Sequence, residues 1–231
     1  MRSTVSTTSS GWSEMTKELA FIDDSLRAAA ARLAAKGLMQ PGDCLSQRIP
    51  ERQTWIWLVL PANGTAEPTP VHWAASAAGQ RPELHERLYA GRADVGAILE
   101  SRPAWASRLG QLPEAMPALF DEQVRHLGLG VGKAVERPGA PVPLAFHPGA
   151  NALALADRVL CCGMGLERLL LNAELLEKCA KAFVLAQSSG RPLRRIPWLV
   201  RYIANRRLLR DEREAAACHG AGRRSVMQAG Y

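Results

Sequence analysis

The stretch Leu84-His85-Glu86-Arg87-Leu88-Tyr89-Ala90-Gly91-Arg92-Ala93-Asp94-Val95-Gly96-Ala97-Ile98 decides how this chain folds. Its first half predicts a short helix over Pro82 to Gly91, because proline is favoured in the first turn of a helix. Its second half predicts a buried strand over Val95 to Leu99, where apolar and β-branched residues follow one another. A helix that leads through one short turn into a buried strand is typical of layered α/β proteins rather than of helical bundles.

Helices and strands continue to alternate on both sides of this stretch. Apolar residues recur every three or four positions in Ser13 to Lys36 and in Leu166 to Gln187, so both segments are predicted helices. Trp55 to Leu60 has the aromatic and β-branched character of a buried strand, and Leu153 to Cys162 is also strand-like. Neighbours in a strand point to opposite faces, which makes the adjacent Cys161 and Cys162 predicted core residues.

The composition is that of a globular protein. The chain has 231 residues, of which 47% are apolar and 22% charged, and this length supports one substantial core. We predict a flexible tail at 1–12, one domain at 13–190 and an Arg-rich extension at 191–231. No apolar run is long enough to cross a bilayer, and the Ser/Thr-rich start lacks the apolar segment of a secretory signal. The expected location is the cytoplasm, where the five cysteines stay reduced.

The positive charge is concentrated after residue 190. That segment has ten arginines and only three acidic residues, which accounts for the whole formal net charge of +7. Such a segment attracts nucleic acid, an anionic membrane or an acidic protein surface. The simpler interpretation is a solvated, Arg-rich terminal helix, and this is the one we favour over binding to nucleic acid.

Five segments resemble the class II aldolase/adducin family, in the same order and at similar spacing. They are Arg32 to Leu38, Asp43 to Pro50, Leu84 to Ile98, Phe120 to Gly128 and Ala173 to Ala180. The likeness as a whole covers roughly residues 17 to 188. The resemblance implies a three-layer α/β/α domain around a central, mainly antiparallel sheet. It also implies oligomers, commonly tetramers, whose active sites lie at subunit interfaces.

Enzymes of that family use a divalent metal such as zinc to polarise a substrate carbonyl, which is a Lewis-acid role. Their ligands are an H-x-H pair after the "VGAVV" strand and a third histidine in an "N-H-G" turn, with an acidic residue four positions before the "LH" histidine. The pair falls here on Glu100-Ser101-Arg102, the third histidine on Asp157 and the acid on Arg81. The resemblance therefore predicts a degenerate metal site and no metal cofactor.

Two arginines and two carboxylates occupy the four positions, and their charges sum to zero. One hypothesis is that Arg–carboxylate pairs, Arg81 with Glu100 for example, fill the space of the metal, because bidentate arginine suits such pairing. A second is four independent surface substitutions after a loss of function. A third is that Glu100, Asp157 and His85 bind a hard ion such as Mg²⁺ or Mn²⁺. The two arginines count against the third, since they compete for the carboxylates.

Three functions remain open at this point. The leading interpretation is a non-catalytic protein that acts by homo- or hetero-oligomeric assembly with an intact class II aldolase. The alternative is a metal-independent or altered-metal lyase or decarboxylase, in which Arg81 or Arg102 clamps the carboxylate of a small sugar acid or oxo acid. The third is a binding module whose Arg-rich tail contacts a polyanion.

Overall fold

The computed structural model describes residues 9–61, 70–75, 81–134, 147–190 and 193–225. The helices in these ranges are α1 (Ser9–Ala35), α2 (Glu83–Gly91), α3 (Asp121–Leu127), α4 (Leu166–Ser188) and α5 (Trp198–Gly220). The strands are β1 (Cys44–Ile49), β2 (Thr54–Val59), β3 (His72–Trp73), β4 (Ala97–Ser101), β5 (Met116–Pro117), β6 (Gly130–Lys133), β7 (Ala152–Ala154) and β8 (Val159–Gly163). Two 3-10 helices, Pro50–Arg52 and Ala106–Gly110, connect some of these elements.

The strands form one sheet in the order β3-β2-β1-β4-β8-β7-β6-β5. All pairs are antiparallel except β6 with β7. The prediction of an α/β fold around a mainly antiparallel sheet is therefore confirmed. The segment Asp43 to Pro50, one of the five that carry the resemblance, contains strand β1, which lies inside the sheet. This strand pairs with β2 on one side and with β4 on the other.

Alternate side chains of each strand enter two separate cores, one on each face of the sheet. On one face, Leu99 of β4 and Cys161 of β8 pack with apolar residues of α1 and α4. On the other face, Ile98 and Cys162 pack with Leu88 of α2. This alternation follows from the period of two in a strand. It produces three layers and confirms that the paired cysteines are core residues.

Two predicted boundaries change. α1 begins at Ser9, so residues 9–12 belong to a helix rather than to a flexible tail, while residues 1–8 lie outside the described ranges. The segment Leu153 to Cys162 is not one strand but a hairpin of β7 and β8. The N–H of Leu155 donates to the carbonyl oxygen of Arg158 at 2.8 Å, which closes a tight turn with Asp157 near its tip.

The Arg-rich segment after residue 190 is not a separate extension, because α5 packs against α3 and the domain. Its inner face buries Leu208, Glu212, Ala215 and His219, and its outer face carries most of the arginines. The expected solvated terminal helix is therefore correct for one face only. None of the helices in the described ranges has the length and apolar character needed to cross a membrane.

Candidate functional site

The four positions singled out in the sequence lie at one end of the sheet, but only two of them are connected. Glu100 lies near the end of β4 and Asp157 lies in the β7–β8 turn, and Arg158 bonds to both. Arg102 follows β4 and Arg81 precedes α2, and each has a different partner. The register explains the first contact, since β4 and β8 are antiparallel neighbours with Ser101 opposite Val159.

The pair of Glu100 and Arg158 is the centre of this site. Nε of Arg158 donates to Oε1 of Glu100 at 2.6 Å, and its Nη1 donates to Oδ1 of Asp157 at 3.1 Å. The side chains of Glu100 and Arg158 are 21% and 26% exposed, whereas that of Asp157 is 63% exposed. The Glu100 pair is therefore partly withdrawn from water, and the Asp157 contact is a surface pair of small energetic weight.

A buried chain of polar side chains lies beneath Glu100. Nε2 of His85 is 3.8 Å from Oε2 of Glu100, its Nδ1 is 2.8 Å from Oγ of Ser46, and that Oγ is 2.9 Å from the hydroxyl of Tyr89. Full burial lowers the pKa of His85 to about 3, so the ring is neutral at physiological pH. With its proton on Nε2, the ring accepts from Ser46 and directs its N–H toward Glu100.

The other two arginines pair with carboxylates that the sequence did not identify. Nε and Nη2 of Arg102 lie 2.9 and 2.8 Å from Oδ1 of Asp43, and the backbone N–H of Gln40 donates to Oδ2 of that buried carboxylate at 2.7 Å. Nη1 of Arg81 lies 2.6 Å from Oε1 of Glu86. The predicted pair of Arg81 with Glu100 is therefore wrong, because each residue has a nearer partner.

The donors at this site do not fit the metal centre that the resemblance implies. The carboxylate of Glu100 is bonded to the guanidinium of Arg158, and the imidazole of His85 beside it uses its other nitrogen to bond to Ser46. A metal held by Glu100, Asp157 and His85 would have to compete with Arg158, which bonds to both carboxylates. Across the described ranges, no group of three or more His, Cys, Asp or Glu side chains is arranged to hold a metal ion.

Sequence reasoning missed three residues that pair with the predicted site: Arg158, Asp43 and Glu86. Arg158 directly follows Asp157, and Asp43 begins the segment Asp43 to Pro50 that carries the resemblance. The signal that identifies Arg158 and Asp43 is strand register. A residue next to the β7–β8 turn lies beside the end of β4, and Asp43 directly precedes Cys44, which lies opposite Glu100 in the β1–β4 pair.

No family model matches this chain, and no curated protein matches it. Solved structures do match. An L-fuculose 1-phosphate aldolase has a TM-score of 0.64 and 21% identity, with 80% of this chain and 94% of that chain covered. YgbL of Escherichia coli has a TM-score of 0.63 and 20% identity, covering 80% of this chain and 97% of the other. An aldolase II superfamily protein from Pseudomonas syringae has a TM-score of 0.61 and 15% identity, with coverages of 88% and 93%. This chain therefore has the fold of the class II aldolases.

Proposed function

We propose that this chain is a class II aldolase-fold protein in which an ion-paired cluster stands in place of the metal centre, and that it acts by assembling with other aldolase-fold subunits. The observation that carries this proposal is the guanidinium of Arg158 on Glu100. It supplies positive charge at a position where the family places metal ligands. The cluster of Glu100, Arg158 and Asp157 holds β4 to the β7–β8 turn. It therefore stabilises the walls of the site where the family binds its metal, without a metal ion.

The same contacts disfavour the alternative of a carboxylate clamp in a metal-independent lyase. A clamp needs a guanidinium that can bind a substrate carboxylate. Arg81, Arg102 and Arg158 each have a protein carboxylate within 3.0 Å. A substrate anion would have to displace one of these carboxylates before it could bind, which weakens its affinity.

The outer face of α5 supports assembly. Trp198, Leu199, Tyr202 and Ile203 are 46–69% exposed and lie within two turns of one another. Arg206 follows on the same face and lies over the ring of Tyr202. Trp, Tyr and Arg are the residues most enriched at the centres of protein interfaces, and contiguous exposed apolar groups mark binding surfaces. The partner that we assign to this face is an aldolase-fold subunit, either a second copy or an intact class II aldolase.

Metal content and activity test the first half of the proposal. We expect the purified chain to carry no stoichiometric divalent metal and to leave L-fuculose 1-phosphate, the substrate named for one structural neighbour, uncleaved with or without added Zn²⁺. An intact class II aldolase is the positive control. Stoichiometric metal, or cleavage that a chelator abolishes, would overturn the ion-paired interpretation.

Light scattering after size exclusion tests the proposed assembly. The measurement is made on the chain alone and on the chain co-expressed with an intact class II aldolase from the same genome. We expect a defined oligomer that Trp198→Ala/Tyr202→Ala reduces to monomers. Phe21→Ala is the matched control, because Phe21 is 67% exposed on α1, and it should leave the oligomer unchanged. A wild-type chain that stays monomeric alone and with the aldolase would contradict assembly.

A further inference from the structure

A cleft of about 860 Å³ opens at the end of the sheet opposite to Glu100. Its walls come from the start of β4, the first turn of α4 and the inner side of α5, and Gly96, Leu166, Arg168 and His219 are among its lining residues. Gly96 directly precedes β4 and lies four residues before Glu100, which separates the cleft from the ion-paired cluster by roughly 13 Å of extended chain. The cleft is therefore a second site that the proposed function does not use.

Arg168 is a buried cation in this cleft without an adequate counter-ion. The residue is 7% exposed, and the nearest carboxylate oxygen to its Nη2 is that of Asp211, at 3.9 Å. The same oxygen is 2.6 Å from Arg125, so two guanidiniums share one carboxylate. Nη2 of Arg168 donates a long hydrogen bond, 3.4 Å, to the carbonyl oxygen of Arg125, and its Nε has no hydrogen-bond partner among the described residues. Burial and the charge of Arg125 lower the pKa of Arg168 to about 10, which leaves it charged at neutral pH.

The first turn of α4 adds backbone donors to the same cleft. This 23-residue helix has no side-chain cap at Gly165, and the first three N–H groups of a helix cannot reach a carbonyl within it. The first hydrogen bond of α4 runs from the N–H of Leu169 to Gly165, so the N–H groups of residues 166–168 are available. The positive end of the helix dipole lies at the same place.

The charges around the cleft leave room for an anion. Of its three acidic residues, Asp211 is bonded to Arg125, Glu214 lies 3.6 Å from Arg210 and Glu167 is exposed. On the basic side, Arg48 donates only to backbone carbonyl oxygens, and Arg223 is exposed on the lining. An oxyanion beside Arg168 would gain a charge-assisted hydrogen bond from its guanidinium and backbone donors from the start of α4.

We propose that this cleft binds a phosphoryl group, held by the guanidinium of Arg168 and the N–H groups that begin α4. A tetrahedral oxyanion fits this donor set because it accepts bonds from several directions at once. The ligand is either inorganic phosphate or the phosphate of a small monoester. The volume of the cleft is several times that of phosphate alone, so a monoester can be accommodated with its organic part toward Arg223 and His219.

Titration of the full wild-type chain tests this directly, with inorganic phosphate, glycerol 3-phosphate and acetate as probes at constant ionic strength. We expect saturable binding at one site and amide shift changes at Leu166, Glu167 and Arg168 in ¹⁵N NMR spectra, with none at Glu100. A monoester that binds more tightly than phosphate identifies the metabolite as the source, and the reverse identifies the free ion. Acetate binding as tight as that of both would overturn the phosphoryl assignment.

Variants assign the binding to Arg168. Arg168→Met should weaken the affinity for the better probe at least tenfold, and Arg207→Met, on the exposed outer face of α5, should leave it unchanged. If Arg168→Met does not fold, the amide shift changes of the wild-type chain decide whether the ligand binds at residues 166–168. Non-saturable binding, equal losses in both variants, or shifts spread over the Arg-rich face of α5 instead of 166–168 would overturn the proposal. None of these outcomes depends on the metal content or the oligomeric state of the chain.

Discussion

Nη2 of Arg92 lies 3.3 Å from Oε1 of Glu212, which joins the end of α2 to a helix near the other end of the chain. Both side chains are 3% exposed. Arg92 also makes two bonds to Asp94, at 2.8 and 2.5 Å, and the other oxygen of Glu212 accepts the N–H of Gly149 at 2.7 Å. The segment that the sequence marked as an extension thus completes an ion network in the interior.

Removal of Glu212 should therefore destabilise the whole domain. Glu212→Ala leaves Arg92 with one carboxylate and Gly149 without its acceptor, and an orphaned group in a buried ion network costs about 3–5 kcal/mol. Urea unfolding followed by circular dichroism measures the change. Glu214→Ala is the control, because Glu214 is exposed on the same helix and should shift the free energy of unfolding by less than about 0.5 kcal/mol. Equal losses in both variants would contradict the role of the network.

The pair of Glu100 and Arg158 should show measurable coupling. A double-mutant cycle with Glu100→Gln and Arg158→Met should give about 1–2 kcal/mol in the free energy of unfolding, because the pair is partly buried and charge-assisted. The parallel cycle on Arg81 and Glu86 should stay below about 1 kcal/mol, since Glu86 is 48% exposed. Coupling of zero at Glu100 and Arg158 would remove the main support for an ion-paired cluster.

Acid should destabilise the chain through its buried histidines. Burial lowers the pKa of His85 to about 3 and, together with Arg168 and Arg125, that of His126 to about 4. Below pH 6.5 these two histidines become protonated in the unfolded chain but stay neutral in the folded chain. Each histidine therefore stabilises the fold fully above pH 6.5, and this contribution is lost as the pH falls toward 3 for His85 and toward 4 for His126. The slope is at most about 1.4 kcal/mol per pH unit for each.

The pH dependence is measured as the free energy of unfolding between pH 4 and 7. His85→Asn and His126→Gln should each show a shallower fall than the wild type, whatever their stability at pH 7. NMR titration of the ring protons offers a direct check, and a His85 signal that titrates near pH 6 would refute the assignment.

One thiol should react quickly in the folded chain. Four of the five cysteines are buried, and Cys218 is the half-exposed one. Burial raises the pKa of Cys161 and of Cys179 to about 12, so their reactive thiolates are scarce at pH 8. A thiol-specific chromogenic reagent should titrate one fast group in buffer and five in guanidinium. Cys218→Ser should abolish the fast phase, and any second fast thiol would contradict the burial of the cores.

The layered fold was predictable because its signals are local. The period of α4, the β-branched run of β2 and the adjacent cysteines of β8 each follow from nearest neighbours in the sequence. Pairing of charges is not local. Arg158 is not marked by any local pattern in the sequence, and its bond to Glu100 depends on how β8 aligns with β4. The wrong pairing of Arg81 arose because four positions from three separate segments were treated as one cluster.

The role of α5 was hidden for a related reason. Its sequence is dominated by arginines, which predicts a solvated helix, and the buried residues occupy a single stripe of mixed character. Glu212 and His219 are polar, so apolar periodicity in the sequence does not reveal them. Their burial follows from contacts made in the folded chain, Glu212 with Arg92 and His219 with the carbonyl oxygen of Ala93. A buried polar residue of a helix can therefore be recognised only when its partner elsewhere in the chain is also known.

The two edge strands of the sheet limit how copies of this chain can associate. β3 and β5 are the edge strands, each has only two residues, and β5 ends with a proline that has no N–H to donate. Edges of this kind offer little template for the addition of a foreign strand. Growth of the sheet into a fibril is therefore disfavoured along the described edges. Association of copies is expected through contacts between side chains, which can form a closed oligomer.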